Sequence, residues 1–368
     1  MKIVFVANTS WFLYNFCQTL LRTVKAEGHD VYVIAPYDQT SSKFEELGIE
    51  WFDLSMHQTS KNPLRECLTL CHLYRILHTL HPEFVLTFTI KCNLYVGLVK
   101  KVLPFEQIAT LAGLGQGFTG QNIWSVLIRT LYTVALKTAR KVFFQNDDDS
   151  ALFLHYRLVR TEQVEHTSGL GVNLSRFVPC SIEKTDGTRV FLMFGRLLKS
   201  KGYGLFLQAA RQIHKERPSQ AEFWILGIPD RSREDSRNLF QTIQAFHQQQ
   251  IVRYIPAVDD VRSVLHQADV VVLPSEYNEG VPACLLEAMA CGKPIITTNW
   301  KGCKKTVEHG KNGFLVEKGS VEELKNAILL CLDMNSAMFI QMGTLSRQKV
   351  EREFDEQSII AKYIREIT

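Results

Sequence analysis

The sequence predicts an α/β protein of two domains, each a parallel sheet wound with helices. Three observations predict it. At 368 residues the chain is longer than one hydrophobic core usually organises. Short apolar runs rich in Val, Ile and Phe alternate with longer stretches of helical period, the pattern of βαβ units. A polar, irregular segment at 177–188, holding Pro179 and Gly187, falls near the middle and reads as the link. The expected division is a first domain at 1–175, a linker at 176–189, a second domain at 190–345 and a closing helical segment at 346–368.

Composition narrows the function class. Hydrophobic residues make up 46% and charged residues 22%, ordinary for a globular chain. The net charge of +4 favours anionic partners mildly and argues against nucleic-acid binding as the main task. No apolar run approaches the ~20 residues that span a bilayer. After Met1 and Lys2, residues 3–7 are too short for a signal-peptide core and read as the first strand. Nine cysteines, an odd number without paired spacing, point to reduced thiols and a cytoplasmic protein. Cys67 and Cys71 stand one helical turn apart with no accompanying ligands, so they read as core thiols and no metal site is expected.

In the first domain, strand 3–7 leads through Asn8, Thr9 and Ser10 into a helical stretch at 12–26, with Ser10 a candidate cap. Gly28 precedes strand 31–35. A helix at 38–47, a strand at 50–54, a long amphipathic helix at 64–80 and a strand at 84–88 follow. Past that strand end stand Lys91 and Asn93. Strand 108–111 runs into the glycine-rich loop 112–120. There Gly115, Gly117 and Gly120 fit the G-x-G-x-x-G dinucleotide fingerprint. The context does not fit, because a helix at 122–141 follows where a second strand and an acidic residue are needed. That helix carries Ile123, Trp124, Leu127, Leu131 and Val134 on one side and Arg129, Lys137, Arg140 and Lys141 within about a third of a turn. Such a helix either packs on a core or lies on an anionic membrane leaflet. Strand 142–145 precedes Asp147, Asp148 and Asp149, read as capping a helix at 150–156 rather than holding metal.

The second domain opens with strand 190–194 and the segment Gly195-Arg196-Leu197-Leu198-Lys199-Ser200-Lys201-Gly202. Strand 223–226, a charged helix at 232–249, strand 252–255 and a helix at 261–267 lead to strand 270–273. Then comes Pro274-Ser275-Glu276-Tyr277-Asn278-Glu279-Gly280-Val281-Pro282, followed by a strong helix former at 283–290, a stop at Gly292 and Pro294, and strand 295–298. The loop between these elements lies at the carboxyl end of a strand, where open α/β sheets bind ligands. The amides of Gly280 and Val281 and the helix dipole suit an anion. Glu279 and Glu287 add carboxylates that accept from hydroxyls. Anion site and carboxylates together suit a nucleotide sugar.

The pattern Pro-Ser-x-x-x-Glu-Gly-x-Pro-x-x-x-x-Glu-Ala-x-Ala-x-Gly-x-Pro resembles the E-x7-E signature of retaining glycosyltransferases of family 4. Its distance from the Gly-Arg…Lys-Gly segment suits the same family. The resemblance implies the GT-B fold: two Rossmann-like domains facing a cleft, with a last helix crossing back to the first. It implies a retaining, metal-independent transferase without cofactor, whose donor phosphate takes the acceptor proton. Arg196 and Lys201 would hold the diphosphate with Gly195, Gly280 and Val281. Glu279 would contact the transferred sugar and Glu287 the ribose. On the acceptor side stand Asn8, Ser10, Lys91, Asn93, Gly113 and Gly115. Relatives often carry a histidine near Lys91; this chain does not, and no base is assigned. Residues 256–258 would border the nucleobase. The Gly-Leu-Gly and Lys-Gly-Cys-Lys-Lys segments resemble bacterial enzymes of surface-polysaccharide assembly. They imply a UDP-linked N-acetylhexosamine donor, an undecaprenyl-diphosphate glycan acceptor and a peripheral place on the cytoplasmic face of the inner membrane. Two alternatives stay open: a UDP-N-acetylglucosamine 2-epimerase on the same scaffold, and a non-catalytic glycan or nucleotide-sugar binder.

Overall fold

The computed structural model describes residues 1–56, 62–114, 118, 123–180, 187–230, 233–258, 260–278 and 280–368. They form two compact units, 1–170 with 358–368, and 171–357.

The first unit holds a parallel sheet of β1 (Lys2–Val6), β2 (Asp30–Ala35), β3 (Glu50–Asp53), β4 (Phe84–Thr87), β5 (Glu106–Leu111), β6 (Lys141–Phe144) and β7 (Val164–His166). Their order is β3-β2-β1-β4-β5-β6-β7. β1 and β4 are fully buried or nearly so, as expected for central parallel strands covered on both faces. The order reverses between β1 and β4, so the loops after these strands open at the unit's switch point.

The last helix, Glu356–Ile367, closes this unit. Tyr363 stacks on Phe143 at 4.4 Å between ring centroids, and its hydroxyl meets that of Thr110 at 2.7 Å. The chain's return is shorter than 346–368. Ser336–Glu353 is a separate helix of the second unit, and the closing helical segment expected at 346–368 breaks at Phe354 and Asp355. There Val172 pairs with the break: its amide donates to Phe354 at 3.0 Å and its carbonyl accepts from Glu356 at 3.3 Å. Gly171 (φ 76°) has the Glu356 backbone where a Cβ would lie. The second unit therefore begins at Gly171, ahead of the expected link.

Its sheet is also parallel, with β8 (Arg189–Phe194), β9 (Ala221–Leu226), β10 (Arg253–Ile255), β11 (Val270–Leu273), β12 (Ile295–Thr298) and β13 (Gly313–Val316) in the order β10-β9-β8-β11-β12-β13. The reversal lies between β8 and β11.

Several local expectations change. The stretch at 12–26 divides at Cys17 into Ser10–Phe16 and Gln18–Ala26. Only Lys43–Glu46 of 38–47 is helical. Asn146, not Asp147, caps Asp147–His155. Helix Tyr203–Glu216 was not foreseen. The helix expected at 122–141 is Ile123–Leu136, so Lys137, Arg140 and Lys141 lie beyond it. Val126, Leu127, Leu131 and Val134 are exposed on that helix, not packed. Cys67 and Cys71 are exposed as well, and are not core thiols.

Candidate functional site

The second unit gathers its motifs at the switch point. β8 and β11 pair directly, Val270 with Phe191, so the segments leaving their carboxyl ends are neighbours. The Ser200 carbonyl accepts from the Glu276 amide at 2.8 Å and from the Ser275 hydroxyl at 3.4 Å. Gly202 (φ 87°) starts helix Tyr203–Glu216, and a Cβ on it would collide with the Pro274 carbonyl. A residue with a side chain therefore fails there twice, by conformation and by space. Gly195 adopts φ 134°, is exposed, and has open space where a Cβ would point. Arg196 is exposed beside it and its guanidinium has no polar partner among the described residues. Lys201 is partly exposed at the end of a short 3-10 turn.

Thr298 and Thr297 brace the other strand end, donating to Ser275 at 2.6 Å and Leu273 at 2.7 Å. Pro282 stands at the N-cap of helix Ala283–Ala290. Glu279 lies outside the described residues. Gly280 and Val281 are buried, whereas open amides were expected; Gly302 packs onto the Gly280 carbonyl so closely that a Cβ would collide with it.

Glu287 stands partly buried on helix Ala283–Ala290. Poor solvation raises its carboxyl to about 8, opposed by the charge of Arg176 and reinforced by that of Asp260. Asp260 itself is held down at about 2 by Arg262, whose Nε and Nη2 both donate to it. Arg262 also donates to the Arg176 carbonyl at 3.1 Å. Sequence reasoning missed Arg176, Asp260 and Arg262. A weak signal exists in the Asp-x-Arg spacing, whose Asp260 carboxylate accepts the Arg262 amide at 3.0 Å.

A cavity of about 540 Å³ opens past β9 and β10, lined by Ile228, Pro229, Phe240, Tyr254, Pro256 and Ala257 among others. It includes two of the residues expected beside the nucleobase.

In the first unit, Asn8 and Lys91 follow β1 and β4 at the switch point, Lys91 in the first turn of a helix, Ile90–Val99. Lys91 pairs with Glu66 at 2.9 Å. Ser10 and Asn93 do not face solvent; both are 0% exposed. The Ser10 hydroxyl donates to Pro36 and accepts from Trp51 Nε1, while Thr9 performs the capping expected of Ser10. Asn93 donates to the Thr110 carbonyl at 2.9 Å. A packed, bonded side chain cannot also meet a solvent-borne acceptor, so neither is retained as an acceptor contact. Gly113 is buried, with φ 111°. Gly115, Gly117 and Gly120 lie outside the described residues.

Comparison with known proteins agrees with this layout. Residues 179–345 match the family described as glycosyl transferases group 1, and residues 2–146 match glycosyl transferase 4-like. The N,N'-diacetylbacillosaminyl-diphospho-undecaprenol α-1,3-N-acetylgalactosaminyltransferase of Campylobacter jejuni is 26% identical, across 99% of this chain and 98% of its own. The UDP-Gal:α-D-GlcNAc-diphosphoundecaprenol α-1,3-galactosyltransferase of Escherichia coli is 23% identical, across 79% and 83%. Among solved structures, Anabaena HepE in complex with UDP and glucose superposes with a TM-score of 0.80 at 18% identity, covering 100% of this chain and 99% of that one.

Proposed function

The chain belongs to the GT-B glycosyltransferases, 4-like in its first half and group 1 in its second, and from that premise we propose that it moves an N-acetylhexosamine from a UDP-sugar onto a polyprenyl-diphosphate glycan. The observation that carries this reading is the meeting of the Arg196–Lys201 segment with the 275–281 loop at the β8/β11 switch point. The two relatives named above, both acting on diphosphoundecaprenol-linked sugars, support the acceptor class.

In this reading the donor diphosphate lies over the Gly195 backbone. Arg196 takes it bidentately and Lys201 as a point charge. Negative charge grows on the leaving diphosphate as the glycosidic bond breaks, and two fixed cations stabilise it there without a metal. Gly280 and Val281 belong to this loop, and Glu279 is assigned to the sugar hydroxyls. Glu287 reaches the ribose, and near neutral pH its carboxyl can donate as well as accept. The anomeric configuration is retained, with the donor phosphate accepting the proton of the incoming hydroxyl. In the first unit, Asn8, Lys91 and Gly113 are proposed to serve the acceptor.

We place the enzyme at the cytoplasmic face of a membrane. The exposed Val126, Leu127, Leu131 and Val134 support this, with Lys137 exposed just past them. Among the described residues no single helix is long and apolar enough to cross a bilayer.

The test is transfer from a panel of UDP-, GDP-, ADP- and dTDP-sugars to a synthetic undecaprenyl-diphosphate saccharide, with the product's anomeric coupling read by NMR. One UDP-N-acetylhexosamine is expected to serve, with retention. Donor turnover without acceptor, or tight UDP binding without transfer, would overturn the reading.

A further inference from the structure

Between β8 and helix Tyr203–Glu216 one peptide unit is held from behind. The Gly195 amide extends the β8–β9 ladder, donating to the Leu226 carbonyl at 3.1 Å. The Gly195 carbonyl accepts from the Tyr203 hydroxyl, also at 3.1 Å. Tyr203 is 0% exposed, so this carbonyl points into the core. Burial pushes the hydroxyl well above the usual tyrosine range, and it stays protonated, a donor, at any working pH. Room for the carbonyl comes from the buried Gly227, just past β9, where a Cβ would collide with the Gly195 oxygen. Gly227 is fixed in turn, its carbonyl accepting from the Tyr254 hydroxyl at 2.8 Å.

A trans peptide is planar, with its N–H and C=O on opposite sides. Holding the Gly195 carbonyl inward therefore turns the Arg196 N–H outward. That amide has no hydrogen-bond partner among the described residues, and Gly195 and Arg196 are both exposed. Open space lies where a Cβ of Gly195 would point, so a ligand can come close to this peptide. Glycine also leaves the peptide free to turn, and the bond from Tyr203 is what gives it one direction.

We propose that Tyr203 is a positioning residue for the donor diphosphate: by holding the Gly195 carbonyl it aims the Arg196 backbone N–H at a phosphate oxygen. The inference rests on the donor reading above and adds to it a backbone contact and the residue that orients it. A phosphate suits this N–H because the group can only donate, and the oxygens beside the Arg196 guanidinium are anionic acceptors. An amide already oriented pays no reorganisation as charge grows on the leaving diphosphate. Its loss should therefore appear in kcat as well as in binding.

Tyr203→Phe removes one oxygen and keeps the ring that packs. The variant and the wild type are titrated calorimetrically with UDP and with uridine, which lacks both phosphates. The wild type is expected to bind UDP far more tightly. Tyr203→Phe is expected to weaken UDP by about tenfold, the scale of one hydrogen bond to a charged group, and to keep uridine within about twofold. The kcat for transfer should fall by at least as much. A second measurement needs only the wild-type fold. In protein labelled with [15N]arginine, the Arg196 amide resonance, identified by its absence in Arg196→Lys, should move downfield with UDP and stay in place with uridine. A merely structural Tyr203 would lower Tm and leave the UDP-to-uridine ratio unchanged. That outcome overturns the proposal, and so does an Arg196 amide that UDP does not move; sugar transfer persisting in either case leaves the functional reading intact. Inorganic diphosphate that binds the wild type and is weakened by Tyr203→Phe, in a protein that transfers no sugar, would instead sink the functional reading and leave the positioning role standing.

Discussion

The Glu276 amide donates to the Ser200 carbonyl at 2.8 Å. The bond joins residues far apart in sequence and binds the basic segment after β8 to the acidic loop after β11. Donor recognition in this reading depends on that junction, because cations from one strand end must face carboxylates from another.

Gly202→Ala tests the junction. The substitution adds a Cβ at φ 87° against the Pro274 carbonyl. The left-handed conformation alone costs roughly 1–2 kcal/mol, and the collision adds to it. Urea unfolding should show a loss of about 2 kcal/mol or more, with UDP binding weakened besides. An unchanged midpoint and unchanged UDP affinity would show that the two segments need not touch.

Arg196→Ala should separate function from stability. The side chain is exposed and the described residues offer it no polar partner, so the unfolding free energy should stay within about 0.5 kcal/mol. Transfer should fall by roughly 100-fold or more, as when one preorganised donor to a developing charge is removed. Arg196→Lys should recover only part, lacking the bidentate fork. Full activity in Arg196→Ala would remove it from the mechanism.

Glu287 gives the folded protein a pH dependence with a definite sign. Its carboxyl is raised from 4.5 to about 8 by burial, so between these values the native state holds a proton the unfolded chain has lost. Its contribution is therefore complete below pH 4.5 and lost as pH rises through about 8. Glu287→Gln should flatten the decline of Tm over that window and melt higher than wild type above it. Parallel Tm–pH curves for the two proteins would refute the raised value. Asp260, lowered to about 2, acts in the opposite sense, its contribution being lost only as pH falls through that value.

Arg347 is a purely structural counterpart. Its guanidinium donates to the carbonyls of Phe177 at 2.7 Å, Ala290 at 2.6 Å and Leu174 at 3.3 Å, and its Nε to Glu351. It ties the entry segment that carries Arg176 to the end of the Glu287 helix. Arg347→Met leaves those carbonyls unmet, at roughly 1–3 kcal/mol for a buried group. The second unit should unfold at about 2 kcal/mol lower stability or more, while UDP affinity at low temperature is kept. Loss of UDP binding in the folded variant would show that Arg347 acts on the site itself.

By itself the sequence determined the strand-and-helix alternation, the placement of the two motifs after strands, and the family they mark. These are local properties: period, turn chemistry and spacing are written in neighbouring residues. Tertiary structure alone decided which faces are covered. Ser10 and Asn93 carry the same polar groups as true surface residues, yet they are buried and bonded to Trp51, Pro36 and Thr110, which are distant in the chain. Cys67, Cys71 and Leu127 follow core-like spacing, yet they stay exposed. The raised carboxyl of Glu287 and the packing of Gly302 on the donor loop likewise depend on neighbours remote in the chain. Burial and desolvation belong to the assembled sheet, and no local pattern encodes which distant side chain will come to rest against a given residue.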